Sequence, residues 1–288
     1  MAPSEDRISC LSNDVLFHIL SFIPTKDAVI TGVLSKRWTN LWRFIPVLDF
    51  SDTKLKGRQS FFLFNQFVDS VLASRDIAGN RSINSFILRI DYTDNYHIKS
   101  LSIQNLTTWV DLVVQRKVKN FHLLLHLDVD NYDDDLVITH RLIAPKLPNT
   151  IFSCKTLVVL NLSWFNVEGF SFSSVEFKFP LLKTLHLNRV NFVDERDFLL
   201  LLAGCPVLED FKAHNVLTYN ERTEHQVFHS LRLSKLIRAD IIEFNGEFPM
   251  KALFNSEFLR LQLWEVRLMI NTIYDSFVFC FSEFHFDF

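Results

Sequence analysis

The feature that most constrains the fold of this chain is a short apolar motif that returns at nearly constant intervals. The motif is apolar-x-x-apolar-x-apolar, and it begins at Leu157 (LVVLNL), Leu182 (LKTLHL), Leu208 (LEDFKA), Leu233 (LSKLIR) and Phe258 (FLRLQL). The fourth hexamer departs from it only at Arg238, in the last apolar position. The steps between these starts are 25, 26, 25 and 25 residues. One hexamer is a weak signal, but four near-equal steps predict a repeated supersecondary unit.

The same motif occurs upstream with longer spacers, beginning at Ile45, Ile83 and Val118. Helical periodicity fills the spacers at 60–76 and 105–118, and a further helix is expected over 194–203. A strand and a helix repeated every 20 to 29 residues is the leucine-rich-repeat signature. Because one such unit cannot bury its own leucines, the pattern predicts an α/β solenoid with a parallel sheet.

The first fifty residues predict a separate helical module. A first helix starts near Ser12 or Asn13 and ends at Pro24, whose ring cannot continue it. Thr25 is then expected to cap a second helix that runs to Trp42. Apolar residues recur at steps of three and four along both helices, which gives each an apolar stripe.

The stretch LSKRWTNLW at the end of this module could bind nucleic acid, fill a local core or contact another surface. Five basic and five acidic residues lie between positions 1 and 50, so the module lacks the excess of Lys and Arg that phosphate binding requires. The aromatic stripe therefore fills a local core or faces another surface. Three short helices can hide only a few large side chains, so part of the stripe is expected to contact the rest of the chain or a partner.

Residues 6–42 resemble the F-box, in the version found in the plant F-box/leucine-rich-repeat family (the FBD type). The phrases LPNTIFSCKTLVVLNL, FPLLKTLHL and LLAGCPVLEDF resemble the same family, so the similarity covers about residues 7–265. It implies a small three-helix F-box at 5–46, followed by a leucine-rich-repeat horseshoe with a parallel concave sheet at 47–267. Residues 268–288 form an atypical Phe-rich tail, either a closing strand or a truncated end.

The resemblance also implies a function. Such a chain is a substrate-recognition subunit of an SCF-type (cullin-RING) ubiquitin ligase, which docks on an SKP-type adaptor and through it reaches a cullin. The family's docking positions correspond here to Leu11, Leu16, Ile19, Leu20, Pro24, Val29, Leu34, Ser35 and Trp38. The Pro that usually follows the first of these is Ser12 here, which is itself a good helix cap.

The repeat sheet is the expected binding surface for an unknown target protein. Side chains alternate along a strand, so the residue between the last two apolar positions of each motif should face the concave side. The candidates on that side are His122, Asn161, His186, Lys212, Gln262 and Trp264. Two alternatives stay open: a protein that binds the adaptor without delivering a target, or a small-molecule co-receptor with a pocket around His186, Lys212 and Trp264.

Other chemistries find little support in the sequence. His122 and His126 have a metal-like spacing but alternate with leucines as in a strand, and no catalytic nucleophile motif or phosphate loop is present. We expect no catalytic residue, no metal, no cofactor and no nucleic acid. The amino terminus lacks the features of a signal peptide and no apolar run reaches the ~20 residues that span a bilayer, so a cytoplasmic or nuclear protein is expected.

One departure from the general repeat concerns asparagine. The buried Asn expected after each strand is replaced by Phe165, Val190 and Val216. The asparagine ladder of such repeats is therefore expected to be absent or displaced.

Overall fold

The structure is a computed structural model of the 288-residue chain. It describes residues 7–8, 10–51, 54–55, 57–79, 82–92, 103–127, 144–168, 178–218, 231–246, 248–263 and 284–287.

The chain begins with a compact helical module. Helix α1 (Asn13–Leu20) starts at Ser12, whose hydroxyl accepts a hydrogen bond from the Val15 N–H at 3.5 Å. Helix α2 (Thr25–Ile30) follows Pro24, and two 3-10 helices complete the module, Thr31–Val33 and Trp38–Phe44. The Ser12 cap confirms the predicted start of α1.

The prediction of one continuous second helix from Thr25 to Trp42 is wrong, because the structure breaks it into three pieces. The Thr31 hydroxyl donates to the Ala28 carbonyl at 2.7 Å, and Gly32 follows directly, so the helix tightens into a 3-10 turn there. Thr25 is also not the cap that was expected. Its hydroxyl instead accepts from the Asp49 N–H at 2.8 Å, which ties α2 to the first strand.

Within the described residues, eleven strands form one sheet. They are β1 (Val47–Phe50), β2 (Lys54–Leu55), β3 (Ser85–Tyr92), β4 (Asn120–Leu127), β5 (Val159–Val167), β6 (Thr184–Phe192), β7 (Asp210–His214), β8 (Leu217–Thr218), β9 (Arg238–Phe244), β10 (Phe258–Leu263) and β11 (Phe284–Asp287). The order is β1-β3-β4-β5-β6-β7-β9-β10-β11, with β2 beside β3 and β8 beside β6. All pairs are parallel except β10 with β11.

Helical segments occupy the connections that parallel strands require. They are α3 (Gly57–Ile77), α4 (Ile103–Gln115) and α5 (Glu195–Ala203), with 3-10 turns at Asn149–Ser153 and Met250–Leu253. All three helices lie where the sequence predicted them. The described part of the chain is thus an α/β repeat with a parallel sheet.

The core is built from two rows of residues that cross the strands in register. The first row is Leu48, Phe86, Phe121, Leu160, Leu185, Phe211, Ala239 and Leu259, and the second is Phe50, Leu88, Leu123, Leu162, Leu187, Ala213, Ile241 and Leu261. From β1 to β9 every member of both rows is buried. Each large side chain in such a row contributes roughly 1.5–3 kcal/mol by leaving water.

This register corrects the phase of the last two repeats. Ala239 pairs with Phe211, and Leu259 pairs with Ala239, so these two motifs begin at Leu236 and Ser256. The sequence placed them at Leu233 and Phe258. LIRADI fills all three apolar positions of the motif, whereas LSKLIR has Arg238 in the last one, and pairing with the neighbouring strand selects LIRADI.

A column of left-handed residues interrupts the sheet at one level. Trp164, Arg189, Asn215 and Glu243 have φ values of 68°, 51°, 53° and 53°. Each directly follows a residue of one aligned row, formed by Ser163, Asn188, His214 and Ile242. Ladder pairing skips the first two and resumes one residue later, so the column acts as a repeated bulge.

The bulge explains where the asparagines lie. Asn166 and Asn191 are buried, one position beyond Phe165 and Val190, where the Asn was expected. The Asn191 side-chain amide donates to the Asn166 side-chain oxygen at 2.8 Å, and the Asn166 amide donates to the Ala144 carbonyl at 2.8 Å. The ladder is therefore displaced, which confirms one of the two expectations.

Arg75 joins the helical module to the first repeat. This fully buried residue of α3 donates to the Ile45 carbonyl at 2.6 Å, the Trp42 carbonyl at 3.5 Å and the Ser82 carbonyl at 2.8 Å. Burial lowers its pKa to about 10, so the guanidinium keeps its charge at neutral pH. One side chain thus fixes the end of the module against the start of the sheet.

Replacement of Arg75 by Met tests this joint. The substitution leaves three carbonyls without their donor, and we expect a loss of about 3 kcal/mol in the free energy of unfolding. Urea denaturation followed by circular dichroism measures it. A stability within 0.5 kcal/mol of the original chain, roughly the scatter of ordinary surface changes, would contradict the assigned role.

Replacement of Glu243 tests the left-handed column. Asn tolerates positive φ better than Glu, so Glu243→Asn should stabilise the fold by about 0.5–1 kcal/mol. Glu243→Val, which places a β-branched residue there, should destabilise it. Urea denaturation measures both variants. A Glu243→Val variant more stable than Glu243→Asn would contradict the left-handed conformation assigned to this residue.

Candidate docking surfaces

Helix α1 has an inner and an outer apolar side, which are adjacent around the helix. Leu16 and Leu20 point inward and are buried. On the outer side, Val15, Ile19 and Phe22 are 43%, 45% and 73% exposed. A surface helix of a globular protein normally turns its apolar residues to the core and its polar residues to water. The outer side of α1 therefore lacks a cover within the described part of the chain.

A second apolar stripe follows on α2 and the next turn. Thr25 and Ala28 fill the inward side of α2, whereas Ile30, Val33 and Leu34 are 53%, 83% and 65% exposed. We call the six exposed side chains on these segments the apolar docking patch: Val15, Ile19, Phe22, Ile30, Val33 and Leu34. So many large exposed apolar residues in one short module are typical of an interaction site.

The aromatic stretch that ends the module is core, not surface. Trp38, Leu41 and Trp42 are all buried. Arg37, beside them, donates to the Asn13 side-chain oxygen at 2.9 Å and to the Leu11 carbonyl. The Lys-Arg-Trp sequence thus anchors the start of α1 against the last 3-10 helix.

The nine predicted docking residues separate into three groups by exposure. Ile19, Leu34 and Ser35 are exposed, whereas Leu11, Pro24 and Val29 are partly covered. Leu16, Leu20 and Trp38 are buried. Sequence reasoning missed Phe22 and Val33 as surface residues. Phe22 lies seven residues after Val15, so its helical spacing was available as a signal.

The outward side of the sheet carries a polar row. His122, Asn161, His186 and Lys212 are aligned strand by strand. Asp240 and Arg260 continue the row on β9 and β10. We call this row, with Asp210 and His214 beside it, the polar face. All eight side chains are partly exposed.

One of the predicted face residues lies in another row, and a second falls outside the described residues. Gln262 belongs to the next row, aligned with Ile242, because the last repeat was placed two residues late. Trp264 lies outside the described residues. Asp240 was missed as a row member because its repeat was placed three residues early, and Arg260 because the last repeat was placed two residues late.

Two His–Asp pairs repeat across the polar face with the same diagonal offset. His186 Nε2 lies 3.4 Å from Asp210 Oδ2, and His214 Nε2 lies 3.2 Å from Asp240 Oδ2. In both pairs the Asp lies on the next strand, two residues before the residue that pairs with the His. The second member of each pair comes from the neighbouring strand, so linear spacing could not show it.

Burial controls the charge of two of these histidines. Burial lowers the pKa of His186, partly opposed by Asp210. Burial lowers the pKa of His122 as well, and the nearby His186 lowers it further. Both imidazoles are therefore neutral at pH 7. On the polar face they serve as uncharged hydrogen-bond donors and acceptors, whereas Lys212, Asp210 and Asp240 carry charge.

The structure gives no support to a metal site at His122 and His126. Across the described ranges, no group of three or more His, Cys, Asp or Glu side chains could hold a metal ion. A search of the same ranges for a helix long and apolar enough to cross a bilayer also found none.

Comparisons with known proteins give a consistent result. Residues 8–49 match the F-box domain family, and residues 106–245 match the family described as FBD-associated F-box protein At5g56370, LRR repeats. The curated relatives include F-box/LRR-repeat protein At3g59200 of Arabidopsis thaliana, 38% identical over 74% of this chain. F-box/LRR-repeat protein 13 and F-box/FBD/LRR-repeat protein At1g78750, from the same plant, are 36% and 34% identical, each over 71% of this chain.

These relatives are longer than the chain described here. The matched regions cover 37%, 40% and 41% of the three proteins. No solved structure matches the chain.

The lowered histidine pKa values predict a pH-dependent stability. A group whose pKa is lower in the folded state than in the unfolded state takes up protons preferentially on unfolding. Stability should therefore be constant above pH ~7 and fall as the pH drops below the unfolded value of about 6.5. Denaturation between pH 8 and 5 measures this. His186→Gln should reduce the slope of the free energy of unfolding against pH, and an unchanged slope would contradict the prediction. His126→Gln, which removes an exposed imidazole, is the control.

Proposed function

The chain belongs to the plant F-box/leucine-rich-repeat family, and from its surfaces we propose that it recruits a target protein to an SCF-type ubiquitin ligase. In this proposal the helical module docks on an SKP-type adaptor, which connects to a cullin. The repeat sheet holds the target. The chain supplies proximity to chemistry carried out by other subunits and contributes no reactive group of its own.

The observation that carries the proposal is the two-sided apolar character of α1. Its inner side is used by the core, and its outer side, with the stripe on α2 and the following turn, forms the apolar docking patch. Interfaces of stable complexes are centred on large apolar side chains that become fully desolvated. A helical adaptor surface of matching apolar character is the partner that would cover this patch.

We assign different roles to the exposed and to the buried docking positions. Ile19 and Leu34 contact the adaptor directly, together with Phe22 and Val33, because their side chains are exposed. Leu16, Leu20 and Trp38 act indirectly, since they hold α1 and the last 3-10 helix in place from inside. Loss of docking in variants of the buried positions would therefore come with a loss of stability.

The polar face is the proposed target-binding surface. It is a row of partly exposed hydrogen-bonding side chains carried on rigid strands, and extended sheet surfaces of repeat proteins serve as binding surfaces. With His122 and His186 neutral, the charges of the row are Lys212, Asp240 and Arg260. This arrangement suits a target segment of mixed charge.

A double variant, Phe22→Asp with Val33→Asp, tests adaptor docking. Both side chains are more than 70% exposed, so stability should change by less than about 0.5 kcal/mol for each. Each charge would be buried in the interface, so we expect a loss of affinity for the adaptor of about 2 kcal/mol or more per site. Biolayer interferometry against a purified SKP-type adaptor measures it.

Phe254→Asp is the matched control. Phe254 is 66% exposed but lies between β9 and β10, far along the chain from the helical module. It should leave adaptor affinity unchanged. If the double variant binds as well as the original chain, or if Phe254→Asp weakens binding equally, the docking patch is wrongly assigned.

A further inference from the structure

A cavity lies where the ends of α3 and α4 meet, and none of its lining residues belongs to either docking surface. Its volume is about 690 Å³, within the range of small-molecule sites. Seven residues line it: Asp76, Ser82, Asn84, Leu112, Gln115, Arg116 and Lys117. One of them is apolar, and the others carry hydrogen-bonding or charged side chains.

Arg116 has donor capacity that the protein leaves unused. Its side chain is only 6% exposed, and its Nη2 donates to Asp76 Oδ2 at 2.7 Å. Its Nη1 is buried and has no hydrogen-bond partner among the residues that the structure describes. A buried guanidinium nitrogen without an acceptor is costly, and an acceptor placed in the cavity would remove that cost.

The balance of charge around the cavity is positive. Asp76 is the one carboxylate among the seven lining residues, it is 45% exposed, and Arg116 already occupies one of its oxygens. Lys117 adds a second positive charge on the wall. Arg75, the residue before Asp76, is buried with its charge directed to three backbone carbonyls. The local electrostatics therefore favour an anion.

The backbone at Lys117 makes it a convenient probe. Its φ is 58°, in the left-handed region, and its N–H donates to the Val114 carbonyl at 3.0 Å. Asn accepts this conformation better than Lys does. Lys117→Asn can thus remove the charge without loss of folding.

We propose that this cavity binds a phosphate monoester. The phosphate accepts from Arg116 Nη1 and pairs with Lys117, since guanidinium and ammonium groups form strong charge-assisted bonds to phosphate oxygens. Asn84, Gln115 and Ser82 bear amide and hydroxyl groups that suit the hydroxyls of a phosphorylated sugar. The volume exceeds that of a phosphate ion, which leaves room for the organic part.

The test is isothermal titration of the full chain with glucose 6-phosphate, inorganic phosphate and glucose at constant ionic strength. We expect saturable binding of glucose 6-phosphate, weaker binding of inorganic phosphate and none of glucose. Lys117→Asn should weaken glucose 6-phosphate binding by about tenfold, which corresponds to the loss of one charge-assisted contact. Asp76→Asn, which removes the competing carboxylate, should strengthen it by a few-fold.

Lys119→Gln is the charge-matched control, because Lys119 is exposed two residues away and does not line the cavity. It should leave the affinity unchanged. Absence of saturable binding, or equal affinities in Lys117→Asn and Lys119→Gln, would overturn the proposal. Thermal unfolding of each variant confirms that it is folded, and none of these measurements involves the adaptor.

Discussion

The parallel pairing of successive strands is the constraint on which the rest of this structure depends. It aligns two apolar residues of each repeat with their counterparts in the next repeat, so that two continuous rows run from β1 to β10. No single repeat could bury these side chains alone. Because side chains alternate along a strand, the same pairing also aligns the polar residues between them. The core and the polar face are therefore two consequences of one register.

Much of this architecture could be predicted from the sequence, and the failures have physical causes. Six of the eight motifs begin where the sequence placed them, since their apolar residues pair in register from β1 to β7. The motif at Leu233 failed, since Leu236 also fits the pattern and the pairing with β7 selects it. The asparagines moved by one position because a left-handed residue, Trp164 or Arg189, is inserted before each. Backbone φ is a property that no apolar pattern encodes.

The docking surfaces, too, could be predicted only in part from the sequence. Periodicity identified α1 as apolar, but it could not distinguish the side that Leu16 and Leu20 present to the core from the side that Ile19 and Phe22 present to solvent. The His186–Asp210 and His214–Asp240 pairs depend on contacts between neighbouring strands. The cavity at Arg116 depends on the meeting of two helix ends, which lie 40 residues apart in the chain. Linear spacing carries none of this information.

The central claim is that the apolar side of α1 is a surface prepared for a partner. Amide hydrogen exchange with and without an SKP-type adaptor tests it most directly, because exchange reports protection segment by segment. The account predicts increased protection over 13–34, where the patch residues lie, and unchanged exchange in β4 to β7. Equal exchange in 13–34 at saturating adaptor, or protection confined to the sheet, would contradict it.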